Sequence, residues 1–420
     1  MKQSNNCLNK ISPQSKLSKS VKDGWLVKRL GDVCEIARGG SPRPIQAFLT
    51  DSETGINWIK ISDATVSSKY IYSTVEKIIP GGIKRSRLVK DGDFILSNSM
   101  SFGRPYIMRT TGCIHDGWLV ISNYDKLINQ DFLYNLLSSK FVYSQFEQLA
   151  AGSTVRNLNI SLASKVILVI PPLPEQHRIV GILDEVFEAI AKAKANTQKN
   201  LNNVRELFDS YLNNIFLHTG AGWVVKRLGD VCDFENGDRG TNYPSRKFRV
   251  SNGIPFINAG HFVNSTINLD NMDYISKEHF NLLSNGKICK NDLLFCLRGS
   301  LGKFASVEDI NEGAIASSLV IVRPKDGVVS KYISAYFNSL ICSKMIALYK
   351  NGAAQPNLAA ASLKLFIIPV PPLPEQHRIV VKLDALSKET KRLEEIYQAK
   401  LKALDELKES ILDKAFNGEL

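Results

Sequence analysis

Short apolar runs separated by turn-forming residues fill two long stretches of the chain, 25–170 and 223–370. The run at 166–170 is typical of a strand, and Gly, Asn, Asp and Pro lie between such runs. Segments 131–149 and 331–349 instead carry apolar residues at spacings of three and four, which predicts helices. Both stretches are therefore predicted to be mixed α/β.

A different pattern follows each of these stretches, with apolar residues alternating three and four apart over roughly four heptads. The first series is Leu183, Val186, Ile190, Ala193, Thr197, Asn200, Val204, Leu207 and Tyr211. The second series is Leu383, Leu386, Thr390, Leu393, Tyr397, Lys400, Leu404, Leu407 and Ile411. A helix over 175–216 would be about 63 Å long. Because an exposed apolar stripe of that length needs a partner, we expect the two helices to form an antiparallel coiled coil.

The chain is a tandem duplication. The ten residues 171–180 recur unchanged as 371–380, and Val27 to Cys34 return as Val225 to Cys232. Between these repeated segments the two copies have low sequence identity, so they share the order of segments and differ in the residues between them. Two similar surfaces that differ in detail favour one task performed on two different targets.

Together these patterns predict five segments. They are a disordered basic leader (1–24), a first domain (25–170), a first spacer helix (171–222), a second domain (223–370) and a second spacer helix (371–420). The total charge is +12, of which the two domains contribute +5 each and the leader +4, whereas each spacer segment carries −1. This distribution favours a polyanion bound by the domains and protein partners bound by the spacers.

The repeated decapeptide is predicted to be a joint between each domain and its spacer helix. Its prolines cannot continue a strand, and a helix is expected to begin near Pro174 with Glu175 in its first turn. We expect the histidines to make packing or interface contacts and not acid–base catalysis. The predicted joint and partner-docking residues are Pro174, Glu175, Gln176, His177, Pro374, Glu375, Gln376 and His377.

No catalytic motif emerges from the sequence. P-loop, dinucleotide-binding, HExxH and GxSxG patterns are absent, and so is the Asp/Asn-Pro-Pro-aromatic motif of DNA methyltransferases. The seven cysteines form no CxxC pair, which favours reduced thiols and disfavours a metal site. No run of 18 apolar residues and no secretory h-region occur. We therefore expect a non-catalytic cytoplasmic protein that contains neither a metal site nor a membrane span.

Two variable domains, each followed by Pro-Leu-Pro-Glu-Gln and a long helix, resemble the specificity (S) subunit of type I restriction-modification systems. The resemblance covers the chain after the leader and includes Leu30-Gly31-Asp32, Leu228-Gly229-Asp230 and the run from Gly92 to Ser97. It implies two tandem α/β (α+β) target-recognition domains related by a pseudo-twofold duplication. Each domain would read one half of a split, non-palindromic site in double-stranded DNA.

The same resemblance implies the partners and cofactors. The paired helices would set the gap between the half-sites and dock two modification (M) subunits, while two restriction (R) subunits would complete the complex. S-adenosylmethionine, ATP and Mg²⁺ would bind those partners and not this chain, which would belong to a bacterium or an archaeon.

DNA contacts are predicted for basic, amide and aromatic residues in loops that differ between the copies, because Arg pairs with guanine, Asn with adenine, and Lys with phosphate. Arg104 and Lys303 occupy aligned positions after glycine and are expected to contact phosphate. The predicted residues are Arg38, Arg43, Lys84, Arg85, Arg87, Arg104, Arg239, Asn242, Tyr243, Arg246, Arg298 and Lys303. The alternatives are a coiled-coil assembly scaffold that does not bind DNA and, less in keeping with the missing motifs, a stand-alone enzyme.

Overall fold

The computed structural model describes residues 22–66, 69–98, 102–124, 126–150, 158–218, 220–352 and 356–420. The chain divides into two compact units. The first unit comprises 1–197 and 399–420, and the second comprises 198–398. Each unit thus contains the strands of one repeat together with parts of both long helices. The predicted leader lies outside the described residues except for residues 22–24.

Three sheets form the strand framework of the first unit, in the orders β2-β11-β8-β9-β5, β3-β6-β4-β10-β7 and β1-β12. The strands are β1 (Leu26–Arg29), β2 (Glu35–Arg38), β3 (Leu49–Thr50), β4 (Ile56–Ile59), β5 (Tyr70–Ile71), β6 (Glu76–Ile78), β7 (Arg87–Val89), β8 (Phe94–Ser97), β9 (Pro105–Met108), β10 (Gly112–Ile114), β11 (Trp118–Ser122) and β12 (Ile167–Ile170). Most pairings are antiparallel, but β4–β10 and β5–β9 are parallel.

The helices of the first unit pack on one face of the β8 sheet, except that Ile61–Val66 contributes Ala64 to the core on the other face. They are α1 (Leu30–Val33), α2 (Ile61–Val66), α3 (Gln130–Leu137), α4 (Lys140–Ala150), α5 (Ile160–Ala163) and the start of α6 (Leu173–Leu217), with 3-10 turns at Ile45–Ala47 and Pro80–Arg85. Phe94 and Leu96 of β8 pack against the helical core, whereas Ile95 joins a second core with Trp118. The period-2 alternation of β8 therefore buries its sheet on both faces.

The second unit repeats this framework with four sheets, ordered β14-β23-β20-β21, β15-β19-β16-β22, β13-β24 and β17-β18. The strands are β13 (Val224–Arg227), β14 (Cys232–Asn236), β15 (Arg249–Val250), β16 (Ile254–Ile257), β17 (Phe262–Val263), β18 (Thr266–Ile267), β19 (Asp273–Ile275), β20 (Leu293–Cys296), β21 (Phe304–Ser306), β22 (Ala314–Ile315), β23 (Leu319–Pro324) and β24 (Ile367–Val370). Leu293 and Phe295 face the helical core, and Leu294 and Cys296 face the opposite core.

The helices of the second unit are α7 (Leu228–Val231), α8 (Lys277–Leu282), α9 (Ser330–Phe337), α10 (Leu340–Tyr349), α11 (Ala360–Lys364) and the start of α12 (Leu373–Phe416), with 3-10 turns at Arg246–Phe248 and Ala259–His261. The helices predicted over 131–149 and 331–349 are each divided in two. Ser139 and Ser339 break them, because each serine side chain accepts a hydrogen bond from an amide of the following helix and so caps a new start.

Segments of α6 and α12 run antiparallel within each unit, as predicted. In the first unit Lys194 pairs with Asp405 at 2.6 Å, and Arg178 donates to the carbonyl of Leu420 at 2.8 Å. In the second unit Arg205 pairs with Glu394 at 3.3 Å. Residues from both helices enter the helical core of each unit, so a packed interface and not surface ion pairs holds the helices.

The predicted heptad seam is wrong at four positions of the two helices, whereas Val204, Tyr211, Leu404 and Ile411 are half-buried. Leu207 and Leu407, assigned to the apolar seam, are 58% and 46% exposed, whereas Leu201 is buried. Asn200 and Lys400 are exposed as well. The step from Thr197 to Leu201 is four residues where the heptad required three. An untwisted helix has about 3.6 residues per turn, so a strict heptad pattern drifts off the contact face unless the helices supercoil.

Candidate nucleic-acid interface and joints

Asp116 lies at the centre of a polar cluster in the turn between β10 and β11. Its backbone carbonyl accepts hydrogen bonds from Arg38 Nε at 3.1 Å and from Asn98 Nδ2 at 2.9 Å. Its carboxylate accepts one from Ser41 Oγ at 2.7 Å and lies 3.7 Å from an Arg43 guanidinium nitrogen. Two arginines predicted to contact DNA are thus gathered around one aspartate.

The charge state of this cluster follows from its contacts. The hydrogen bond from Ser41, aided by the charge of Arg43, lowers the pKa of Asp116 below its ordinary value. Burial lowers the pKa of His115, and its Nδ1 accepts a hydrogen bond from the Gly117 amide at 2.8 Å. At neutral pH the aspartate is therefore ionised and the imidazole neutral.

The turn at Pro80–Arg85 reaches the same cluster. Ser86 Oγ donates to the Ile114 carbonyl at 2.9 Å, and a Cβ on Gly40 would lie 2.9 Å from the Arg85 carbonyl oxygen. The Arg85 guanidinium stands 5.7 Å from the centre of the Phe48 ring. Lys84 and Arg87, also predicted to contact DNA, flank it and are exposed. We call the surface formed by 38–43, 84–87, 98 and 115–117 the first loop end.

The second unit has an equivalent surface. Ser317 occupies the place of Asp116, because Leu319 pairs with Cys296 as Trp118 pairs with Ser97. Arg239 Nη2 donates to the Ser317 carbonyl at 3.3 Å, which parallels the bond from Arg38 to Asp116. We call the surface formed by 237–246, 284–286, 297–298 and 316–318 the second loop end.

Asp238 organises the second loop end. Its carboxylate accepts hydrogen bonds from the amides of Gly240 at 2.7 Å and Ser284 at 2.9 Å. These bonds lower the pKa of Asp238 below its ordinary value. Gly237 packs as Gly39 does, since a Cβ would lie 2.7 Å from the Ala316 carbonyl oxygen. The variable loop after β14 is therefore anchored at a backbone position that both copies share.

The remaining predicted DNA-contacting residues of the second unit differ in how far their side chains are held by other residues. Asn242 Nδ2 donates to the Leu282 carbonyl at 3.0 Å, and the Tyr243 ring packs edge-on against Phe256. Arg246 and Arg298 are exposed, and Arg298 forms an isolated β-bridge with Asn357. Arginine thus supplies the freest groups on this surface, and the amide and the phenol help to shape it.

Arg104 and Lys303 follow glycines with positive φ, at +74° for Gly103 and +86° for Gly302. The Arg104 guanidinium lies 5.4 Å from the centre of the Tyr106 ring. It borders a cavity of about 730 Å³ that Lys140 and Lys408 also line. Both basic residues are exposed at equivalent turns, which keeps phosphate contact as the prediction for them.

Replacing Arg104 by alanine is expected to weaken binding to all DNA sequences alike and to reduce the salt dependence, d log K/d log [salt], by about one. The measurement is a binding titration at several salt concentrations. Lys165→Ala, which removes an exposed positive charge elsewhere in the first unit, is the control. An unchanged salt dependence for Arg104→Ala would remove this residue from the interface.

Gln176 and Gln376 fasten the two joints from inside. Gln176 is fully buried, accepts a hydrogen bond from the Asn129 amide, and donates to the carbonyls of Leu127 and Pro171, each at 2.8 Å. Gln376 makes the same three bonds to Val329, Gly327 and Pro371, at 2.8, 3.0 and 3.0 Å. These glutamines hold each long helix to its own domain, so their side chains do not belong to a docking surface.

The outward faces of the two joints match. Glu175 pairs with Arg178 at 2.7 Å, and Glu375 pairs with Arg378 at 2.6 Å. In both copies the arginine lowers the pKa of the glutamate, chiefly through this hydrogen bond. The other predicted joint residues, Pro174, His177, Pro374 and His377, are exposed. The decapeptide therefore presents these same exposed residues in both units.

Sequence reasoning missed Asp116, Ser41 and Asn98 of the first loop end and Asp238 of the second. The sequence signal for where the loops converge is a glycine at the end of the second strand of each repeat, Gly39 and Gly237. Each glycine closely approaches the turn before β11 or β23, where a Cβ would not fit. The glycines do not reveal which carboxylate lies there.

Within the described ranges no cluster of three His, Cys, Asp or Glu side chains is arranged to hold a metal ion. The six described cysteines are free thiols. Among the helices that the structure describes, none combines the length and the apolar character needed to span a membrane.

Comparison with known proteins matches both repeats to one family. The model described as the type I restriction modification DNA specificity domain matches residues 22–202 and 221–403. The MjaIX type I restriction enzyme specificity subunit of Methanocaldococcus jannaschii is 24% identical, over 97% of this chain and 96% of its own length. The EcoBI specificity subunit of Escherichia coli is 22% identical, over 96% of this chain and 87% of its own.

Solved structures share the fold. The crystal structure of the HsdS subunit from Thermoanaerobacter tengcongensis has a TM-score of 0.64 at 23% identity, covering 95% of this chain and 98% of that one. A chain from a structural study of assembly and conformational transition in the type I R-M system has a TM-score of 0.76 at 23% identity, covering 95% of this chain and 99% of that one.

Proposed function

This chain belongs to the type I restriction-modification DNA specificity family, and we propose that each of its two units reads one half of a bipartite DNA site. The observation that carries the proposal is the pair of loop ends. Arg38 and Arg239 donate to equivalent backbone carbonyls from different positions in their loops. The same backbone positions with different side chains suit two units that bind different DNA sequences. The two half-sites together would therefore be non-palindromic.

The two long helices would set the gap between the half-sites. Both α6 and α12 pass from one unit into the other and pack antiparallel within each. An insertion or deletion in either helix would therefore change the helical connection between the two units. The exposed faces of the joints would each dock a modification subunit, since their residues are the same in both copies.

The chain itself would perform no covalent chemistry. Methyl transfer and ATP-driven cleavage would come from two modification and two restriction subunits, which would bind S-adenosylmethionine, ATP and Mg²⁺. The absence of catalytic motifs in the sequence supports this division. The assembled complex would act in the cytoplasm of a bacterium or an archaeon.

A binding assay with the chain and a modification subunit separates this proposal from the assembly-scaffold alternative. DNA fragments from the host genome and their shuffled counterparts are titrated in a gel-shift experiment at a fixed salt concentration. The proposed function predicts that some fragments are retarded at concentrations that leave shuffled DNA free. Equal retardation of all fragments, or none, would favour the scaffold.

A further inference from the structure

The first loop end carries an ionised carboxylate in the middle of its arginines. Arg43 is 83% exposed and lies 3.7 Å from Asp116, and Arg38 binds the carbonyl of the same residue. On a surface that only attracted phosphates, this carboxylate would weaken binding by repulsion. Its presence among the cations therefore calls for a compensating role.

The Asp116 carboxylate can orient the guanidinium group of Arg43. Arginine recognises guanine through two parallel hydrogen bonds, so the orientation of its planar guanidinium group matters as much as its charge. Ser41 Oγ holds the Asp116 carboxylate at 2.7 Å, and Asn98 holds its carbonyl at 2.9 Å. Asn98 is itself buried. Asp116 is thus held from the end of β8 and from the loop after β2, while Arg43 remains exposed beside it.

We propose that Asp116 is a positioning residue for base recognition by the first unit, and that it orients Arg43 towards a guanine in that unit's half-site. This inference rests on the proposed function, because it assumes that the first loop end faces DNA. The carboxylate also repels phosphates, so it favours the sequence in which Arg43 finds its base over DNA in general.

The second unit has no carboxylate at the equivalent position. Ser317 occupies the place of Asp116, Arg239 donates to its carbonyl as Arg38 does to that of Asp116, and the nearby Asp238 carboxylate accepts from the amides of Gly240 and Ser284. The positioning carboxylate is thus a property of the first unit. Substituting Asp116 should change the reading of one half-site only.

Asp116→Asn in the complete complex tests the proposal, because it removes the charge and keeps the shape. Affinity is measured for the recognised site, for sites with single base-pair changes in either half, and for unrelated DNA. We expect affinity for the recognised site to fall roughly tenfold, in line with the loss of one oriented arginine contact. Affinity for unrelated DNA should stay the same or rise, since a repulsive charge is lost.

Asp91→Asn is the matched control, because Asp91 also pairs with an arginine, Arg109 at 3.4 Å, but lies at the opposite end of β8. It should leave the preference for the recognised site unchanged. Arg43→Lys is a second variant that keeps the charge and loses the two-pronged donor. It should relax discrimination at the same base pair as Asp116→Asn.

Three results would overturn the inference: Asp116→Asn leaves sequence preference intact, it weakens recognised and unrelated DNA equally, or it relaxes the half-site read by the second unit. A complex with native Asp116 that shows no sequence preference would instead refute the proposed function. The two failures are therefore distinguishable.

Discussion

Replacing Phe416 by alanine is expected to destabilise the first unit by about 3–5 kcal/mol. Phe416 belongs to the last turn of α12, yet it is buried at 4% exposure and its ring packs edge-on against Phe132, with 5.5 Å between ring centres. Ala415 and Leu412 enter the same core. The C-terminal helix therefore completes the core of the N-terminal repeat, and truncating Phe416 leaves a cavity there.

Peptide-resolved hydrogen exchange measures this effect where it arises. In the Phe416→Ala variant, faster exchange should appear in β8, β11 and α3, while β20 and β23 of the second unit keep their protection. Leu407→Ala is the control, because Leu407 lies on the same helix and is 46% exposed. Unchanged exchange in the first unit would contradict the packing described for α12.

The equivalent variant of the second unit is Phe216→Ala. The Phe216 ring lies 5.4 Å from Tyr332 and 5.6 Å from Tyr336 between ring centres, and it is buried at 3%. Its loss should speed exchange in β20, β23 and α9 and spare the first unit. The two variants together show which helix end stabilises which repeat.

Replacing Gln376 by methionine is expected to cost about 1–3 kcal/mol, although the two side chains have similar size. The substitution leaves the buried carbonyl of Pro371 without its partner, whereas the half-buried amide of Val329 and the carbonyl of the exposed Gly327 can bind water instead. Gln176→Met should act in the same way on the first unit. Denaturant unfolding followed by circular dichroism gives the change in free energy.

Val381→Ala is the control for Gln376→Met, because Val381 lies a short distance further along α12 and is 68% exposed. It should change stability by less than about 0.5 kcal/mol. A similarly small loss for Gln376→Met would mean that the joint is held by the prolines and the apolar contacts, and that the glutamine is replaceable.

The duplicated frame could be predicted from the sequence because its signals are local. The unbroken apolar run from Phe94 to Leu96 indicates a strand buried on both faces, and the repeated Pro-Leu-Pro-Glu-Gln indicates a helix start in both copies. The antiparallel pairing of α6 and α12 followed from their unpaired apolar stripes. Each of these inferences needs only neighbours in sequence or an identical copy.

The seam register and the loop contacts depend on distant residues. Leu207 and Leu201 are equally apolar, and only the packed partner helix decides that Leu201 is buried and Leu207 exposed. The contact of Arg38 with Asp116 joins residues 78 positions apart. The sequence named Gln176 and Gln376 as joint residues but could not show their hydrogen bonds, because each partner amide lies 47 residues away along the chain.

Sequencing of modified bases in host DNA shows whether one chain specifies two different half-sites. Cells that carry the intact system are compared with cells that lack only this chain. We expect one bipartite, non-palindromic motif with a modified base in each half, present only with the chain. A continuous or palindromic motif, or one that persists without the chain, would contradict it.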